Sequence, residues 1–321
     1  MIGLHDRVFV AGHRGMVGSA VLRALRARGF DDVVVASRTE VDLLDERMVA
    51  EFLARERPRL VILAAARVGG IQANQRFPAE FVRENLAIQT NVIHQAHRAG
   101  VEQLVYLGSS CMYPRECPQP MKEEYLLTGP LEPTNEAYAV AKIAGLTMAQ
   151  AYHRQHGLDV VCPLPCNLYG TNDHFDLASS HVLSALVKRF SDAVDEGRPE
   201  VTLWGTGAAR REFLDVDDFA DALLLLLERW TSPDVINVGS GEDVTIRELA
   251  RLVAGATGYR GRVAWNQAMP DGMPRKCLDV TRLQALGFRP RVSLPEGIAR
   301  TVADYRARGA SERAVLGDEP R

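Results

Sequence analysis

Gly12-His-Arg-Gly15-Met-Val-Gly18 constrains this chain more than any other stretch. It directly follows the apolar run Arg7–Ala11 and opens Val17–Arg28, whose apolar residues recur at helical spacing. A strand, a glycine turn and a helix in that order form the phosphate-binding unit of a doubly wound α/β sheet. The glycines permit the tight turn, and backbone N–H groups at the helix N-terminus can approach a pyrophosphate. Three glycines alone are a weak signal, and the flanking strand and helix make it specific. Gly12, Arg14, Gly15, Met16, Val17 and Gly18 are therefore cofactor-binding candidates.

The pattern continues. Val33–Ala36, Leu60–Ala64 and Leu104–Leu107 read as short apolar strands, separated by helices over Met48–Arg55 and Phe81–Ala99. Apolar strands alternating with helices indicate a parallel sheet covered on both faces. After Leu168 the pattern loosens. A helix around Val182–Val194 precedes strand-like VTLW, a helix Phe219–Trp230, and INVG. A capped helix at Thr245–Ala254 is followed by proline-rich turns and a polar tail. The expected fold is α/β, a doubly wound parallel sheet with a smaller C-terminal substrate lobe. Residues 1–168 form the dinucleotide-binding domain, with 205–240 returning to it, and residues 169–204 and 241–321 form the second lobe.

Composition excludes several classes. With 38 Lys and Arg against 41 Asp and Glu, the chain lacks the basic excess of a nucleic-acid or membrane-surface binder. No apolar run approaches the roughly 18 residues of a membrane span, and the first residues lead straight into a strand without a secretory pattern. Five cysteines (Cys111, Cys117, Cys162, Cys166 and Cys277), an odd number with no CxxC spacing, argue against a disulfide framework or a metal site. A reducing, cytoplasmic setting is expected.

The end of the second strand selects the cofactor. An enzyme that uses NAD usually carries a carboxylate there for the ribose 2′-hydroxyl, whereas this chain reads Ala36-Ser37-Arg38-Thr39. Arg38 suits a 2′-phosphate, and Arg14 can cover its other side, so NADPH is favoured over NADH.

Ser109-Ser110-Cys111 follows the strand Leu104–Leu107, at the sheet edge that opens on the cofactor crevice. Further on, Tyr138 and Lys142 stand at i and i+4, on one face of a helix. A lysine ammonium beside a phenol, helped by the positive nicotinamide ring of the cofactor, lowers its pKa from near 10 and makes it a general acid usable near neutrality. Tyr138 is then the proton donor to a carbonyl oxygen, Ser109 a hydrogen-bond donor to the same atom, and Lys142 the supporting cation.

With these residues in place, the chain resembles the extended short-chain dehydrogenases/reductases and, within them, the GDP-L-fucose synthase family. The likeness runs from about Arg7 to Tyr305 through VFVAGHRGMVGSA, AAARVGGIQAN, LGSSCMYP, LEPTNEAYAVAKIAG, NLYG, SHV, REFL, INVGSG and PDGMPRK. The resemblance implies inversion at C3 and C5 of a nucleotide-linked 4-keto-6-deoxyhexose, then reduction of its C4 ketone with NADPH. By matching position it implies Cys111 and His181 as the epimerase acid–base pair. It also adds Ala64, Ala65, Ala66, Asn167, Leu168 and His181 on the cofactor. Lys188, Arg189, Trp204, Arg211, Asp271 and Lys276 fall at substrate positions, and the resemblance also implies a homodimer through the long helices Phe81–Ala99 and Glu136–His156. The chain departs from the family at Cys166, Thr171, the loop 172–179, Asp215 and Met269. Those departures leave open a 4-ketoreductase acting on a dTDP-4-keto-6-deoxyhexose.

Overall fold

The computed structural model describes residues 2–177, 179–269 and 271–317. The chain begins β1 (Val8–Ala11), α1 (Met16–Ala27), β2 (Val33–Val34), α2 (Glu46–Glu56), β3 (Leu60–Leu63), α3 (Ile71–Arg76), α4 (Pro78–Arg98) and β4 (Gln103–Tyr106). It continues with α5 (Glu136–His156), β5 (Asp159–Pro165), β6 (Asn167–Tyr169), α6 (Val182–Asp195), β7 (Glu200–Trp204) and β8 (Arg210–Asp215). The last elements are α7 (Val216–Arg229), β9 (Val235–Val238), β10 (Asp243–Thr245), α8 (Ile246–Thr257), β11 (Arg262–Asn266), β12 (Arg275–Lys276), α9 (Thr281–Ala285) and α10 (Leu294–Gly317).

The main sheet has the order β2-β1-β3-β4-β5-β9, with every pair parallel. Every residue of β1, β3 and β4 is buried, as expected of parallel strands covered on both faces. From β1 the chain steps outward to β2, then crosses back to place β3 on the other side of β1. That reversal opens a crevice at the carboxyl ends of β1 and β3, where doubly wound sheets take their ligands. The expected α/β fold is present.

Around β8 a smaller sheet forms. β8 pairs with β10 antiparallel and with β12 and β6 in parallel, while β7 pairs with β11. Helices α6, α8 and α10 pack with these strands over a second core that includes Leu183, Phe190, Val253 and Ile298. Within 205–240, α7 packs on α1 and β9 pairs with β5, whereas β8 belongs to the smaller sheet. Residues 318–321, at the end of the expected second lobe, lie outside the described residues.

Two expectations need correction. The second strand, read as Val33–Ala36, stops at Val34. The segment read as proline-rich turns and a polar tail contains α10, whose buried Ile298, Thr301 and Val302 face the second core. Pro295 at the start of that helix was the overlooked signal, because a proline in the first turn costs no hydrogen bond. No helix among the described residues is long and apolar enough to cross a membrane.

Candidate active site

The glycine turn lies against the segment that follows β3. Gly12 has φ +91°, and a Cβ there would meet the Ala65 backbone nitrogen at 2.8 Å. A Cβ on Gly18 would collide with the Gly12 carbonyl, so the first turn of α1 presses on the loop before it. At the N-cap, Gly15 offers no side chain to the free N–H groups of α1. His13 Nδ1 is buried without a partner in the same turn. Close backbone approach, uncapped amides and an orphaned ring nitrogen together fit a dinucleotide pyrophosphate at this crevice. Ala64 bonds back to β1 through its N–H on the Ala11 carbonyl, which holds Ala64–Ala66 beside the turn.

At the adenosine end, Arg14 and Arg38 are both exposed. Arg38 has one loose contact, Nε to Asp42 Oδ2 at 3.6 Å. Glu40 is committed to Ser37, accepting from its backbone N–H at 2.7 Å and its hydroxyl at 2.6 Å. That carboxylate is therefore occupied, and the guanidinium of Arg38 is available to a phosphate.

The catalytic candidates converge beyond β4. Ser109 caps the short 3-10 turn Ser110–Met112, its Oγ accepting from the Cys111 N–H at 3.2 Å. The Cys111 sulfur receives Asn135 Nδ2 at 3.1 Å and Lys276 Nζ at 3.4 Å. Ser109 also reaches the Tyr138 hydroxyl. Burial would raise the Cys111 pKa, but the Lys276 charge and hydrogen bonds from Ser109, Lys276 and Asn135 outweigh it and hold it below the ordinary thiol value.

In the chain alone, the surroundings of Tyr138 act against ionisation. Burial, then the nearby Cys111 charge, push its pKa above the ordinary phenol value, against a lowering by Ser109. Lys142 does not offset this. Its Nζ donates to the Leu107 carbonyl at 2.9 Å and lies 6.0 Å from the Tyr138 ring centre, and burial pulls its pKa down to about 8. Without a cofactor's positive charge, desolvation outweighs the lysine, and Tyr138 stays protonated.

Below the pair, α5 sits tightly on the sheet. A Cβ on Gly145 would strike the Tyr106 hydroxyl and the Gln89 amide oxygen. Tyr106 donates to Gln89 Oε1 at 2.8 Å and approaches the Lys142 carbonyl at 3.0 Å, while Gln89 Nε2 donates to the Ala141 carbonyl at 2.6 Å. This buried knot ties α4, β4 and α5 together directly beneath Tyr138 and Lys142.

His181 is the N-cap residue of α6, yet its side chain makes no capping bond. The residue keeps solvent access, but protein atoms crowding the ring, then the Lys276 charge, lower its pKa. Asn167 spends its amide on the Glu212 carbonyl at 2.8 Å, and Leu168 packs against the main core.

The substrate candidates divide. Lys188 is paired within the fold, donating to Asp192 at 3.0 Å and to Tyr305 at 3.3 Å. Arg189 has no hydrogen bond or ion pair among the described residues. Trp204 is 41% exposed at the end of β7, a flat face open to a ligand. Arg211 Nη1 donates to the Arg210 and Met273 carbonyls, at 2.8 and 2.6 Å. Asp271 accepts from the backbone N–H and hydroxyl of Thr206, both at 2.7 Å, which fixes the Thr206 turn.

Sequence reasoning missed Asn135 and Asn172. Asn135 carried a signal, standing directly before the helix of Tyr138, while the partners of Asn172 are remote in sequence. Two departures from the family acquire structural duties. Asp215 caps α7 by accepting from the Asp217 N–H at 2.9 Å, and Cys166 is buried.

The comparisons with known proteins agree with this geometry. Over residues 8–239 the sequence matches the NAD dependent epimerase/dehydratase family. It is 52% identical over 299 residues to GDP-L-fucose synthase 1 of Arabidopsis thaliana, covering 93% of each chain. It is 51% identical over 305 residues to the GDP-L-fucose synthase of Escherichia coli strain K12, covering 92% of this chain and 95% of that one. A solved GDP-mannoheptose C4 reductase from Campylobacter jejuni with NADP bound is similar at a TM-score of 0.86 and 34% identity, over 95% of this chain and 100% of that chain. The chain belongs to the NAD dependent epimerase/dehydratase family, within the GDP-L-fucose synthases of the extended short-chain dehydrogenases/reductases.

Proposed function

We propose that this chain is an NADPH-dependent epimerase and reductase that inverts C3 and C5 of GDP-4-keto-6-deoxy-D-mannose and reduces its C4 ketone, giving GDP-L-fucose. The observation that carries this reading is the convergence of Ser109, Cys111, Tyr138 and Lys276 at one point beyond β4. The relatives named GDP-L-fucose synthase support the GDP sugar over a dTDP sugar.

In the epimerase step the C4 ketone acidifies the hydrogens on C3 and C5. The Cys111 thiolate takes one as a proton, and the C–H electron pair moves into an enolate with its charge on the C4 oxygen. Ser109 and the protonated Tyr138 donate hydrogen bonds to that oxygen. His181 returns a proton from the other face, and the two groups exchange protons with water before the second inversion. In the reductase step Tyr138 gives its proton to the C4 oxygen, and Lys142 holds the helix turn under it. Bound NADPH supplies the two reducing electrons. We assign Gly12, Arg14, Gly15, Met16, Val17, Gly18, Arg38, Ala64–Ala66, Asn167 and Leu168 to the cofactor, and Arg189, Trp204, Arg211 and Asp271 to the nucleotide sugar.

The test is NADPH oxidation with GDP-4-keto-6-deoxymannose beside dTDP-4-keto-6-deoxyglucose, run in D2O with product NMR. Turnover of the GDP sugar with deuterium at C3 and C5 is expected. Preference for the dTDP sugar, or reduction without deuterium, would overturn the reading.

Because β8 joins the smaller sheet, the expected boundary at 205 moves to 216, and the same reading draws the lobes at 1–168 with 216–240 and at 169–215 with 241–321. It places a homodimer at α4 and α5, for which light scattering should return twice the 35.4 kDa chain mass. A monomer would refute that interface. The same reading sets the chain in a reducing cytoplasm, given five cysteines with no CxxC spacing.

A further inference from the structure

We propose that Lys276, assisted by Asn135, is the positioning residue that serves as counter-ion to the Cys111 thiolate. The proposal rests on the reading of Cys111 as the epimerase base.

Strand pairing carries the argument. β12 has two residues, and the register sets Arg275 opposite Arg210 and Lys276 opposite Arg211 of β8. Side chains alternate across a strand, so the two pairs face opposite ways. Arg275 and Arg210 both go to Asp243, which engages both guanidinium groups on that face. Lys276 and Arg211 are left on the cleft side.

Their fates there differ. The Arg211 guanidinium is anchored on two backbone carbonyls. Lys276 has no carboxylate partner among the described residues, and its ammonium meets the Cys111 sulfur at 3.4 Å. An ammonium drawn into a cleft without an acid beside it needs an anion to offset its desolvation. The thiolate supplies that anion. Asn135 Nδ2 completes the cradle at 3.1 Å, while its buried Oδ1 has no hydrogen-bond partner among the described residues.

The groups facing Cys111 are Lys276 from β12, Arg211 from β8, Tyr138 from α5 and Ser109 from its own loop. Two cations therefore face the thiol, and the carboxylates of Glu132 and Asp271 act on the Arg211 side of the cluster. In the proton transfer, Sγ gains the substrate hydrogen as a proton and the electron pair goes to the enolate. Lys276 keeps all its protons. The same ammonium also disfavours the charged form of His181, so one residue biases both members of the pair.

The test is iodoacetamide alkylation of the intact protein without substrate, read at Cys111 by peptide mass spectrometry across pH 5.5 to 9.5. Substrate affinity cannot affect this readout. The wild-type midpoint should lie well below the 8.5 or so of a free thiol. Lys276→Met should move it upward by about one pH unit and slow alkylation at pH 7 by about tenfold, Lys276→Arg should restore both, and Asn135→Ala should shift it less. An unchanged midpoint in Lys276→Met would overturn the proposal. Should that variant fail to fold by circular dichroism, a wild-type midpoint at or above the free-thiol value would do the same. Deuterium wash-in that persists in Cys111→Ser would refute Cys111 as the base. The alkylation midpoints would still decide whether Lys276 is its counter-ion.

Discussion

Asn172 Nδ2 donates to the Arg14 carbonyl at 2.7 Å, joining the loop that leads to His181 to the glycine turn. The Asn172 backbone N–H bonds Asp304 on α10 at 3.1 Å, and its φ is +69°. One residue thus links the glycine turn, the smaller lobe and the approach to His181.

Asn172→Gly keeps the left-handed backbone and deletes the amide, so its effect isolates that link. The amide also donates to the Ser19 hydroxyl at 3.3 Å, so with both bonds lost we expect the KM for NADPH to rise at least about fivefold, with kcat changing by less than about twofold. A KM equal to wild type would mean the turn holds itself.

Tyr138→Phe retains the ring and its edge contact with Phe81 at 6.4 Å between ring centres. Reduction should fall by about a thousandfold while NADPH still quenches protein fluorescence at an unchanged concentration. Turnover within tenfold of wild type would move the proton donor elsewhere.

For Cys111→Ser, deuterium incorporation at C3 and C5 should drop below about 1% of wild type, because a serine hydroxyl does not ionise near neutrality. NADPH oxidation with a keto sugar already in the product configuration should persist within about tenfold. Equal losses in both assays would assign Cys111 to the reduction as well.

Removing the charge of Arg38 probes the 2′-phosphate. Arg38→Ala should raise the KM for NADPH about tenfold and leave that for NADH unchanged. Equal changes for the two cofactors would return Arg38 to the solvent.

Glu212 provides a pH test. Burial pushes its carboxyl up to about 7 from an ordinary 4.5, although the Leu278 and Gly241 N–H groups oppose the rise. Between those values the folded chain holds a proton that the unfolded chain has released. Stability from this group is therefore full at low pH and is lost as pH rises toward 7, by on the order of 2–3 kcal/mol. The melting-temperature gap between wild type and Glu212→Gln should favour wild type most at pH 5 and narrow by pH 8. A gap independent of pH would show that the carboxyl does not titrate there.

Legibility in the sequence followed the distance over which each feature is built. The glycine turn and the Tyr138–Lys142 pair could be read because one strand–helix unit or one helix face contains them. The Lys276–Cys111 contact could not, since it joins residues far apart through a two-residue strand whose register is set by β8. The charge balance at Tyr138 was also hidden. Spacing places Lys142 on its helix face, but the Leu107 carbonyl that anchors the ammonium comes from the residue just after β4. α10 was lost to composition, because its buried Ile298, Thr301 and Val302 are diluted among charged residues.

Gly145 stands two turns beyond Tyr138 along α5 and touches neither substrate nor cofactor in the proposed mechanism. Its missing methyl nonetheless fixes the height of the helix above Tyr106 and Gln89. An alanine there would lift the helix by a fraction of an ångström and carry the phenol and the ammonium with it. Proton transfer is steep in distance, and a misplacement of about 1 Å can cost a hundredfold in rate. The calibration of this active site therefore resides partly in a hydrogen atom beneath it, where a change would register as lost catalysis with every reacting group still present.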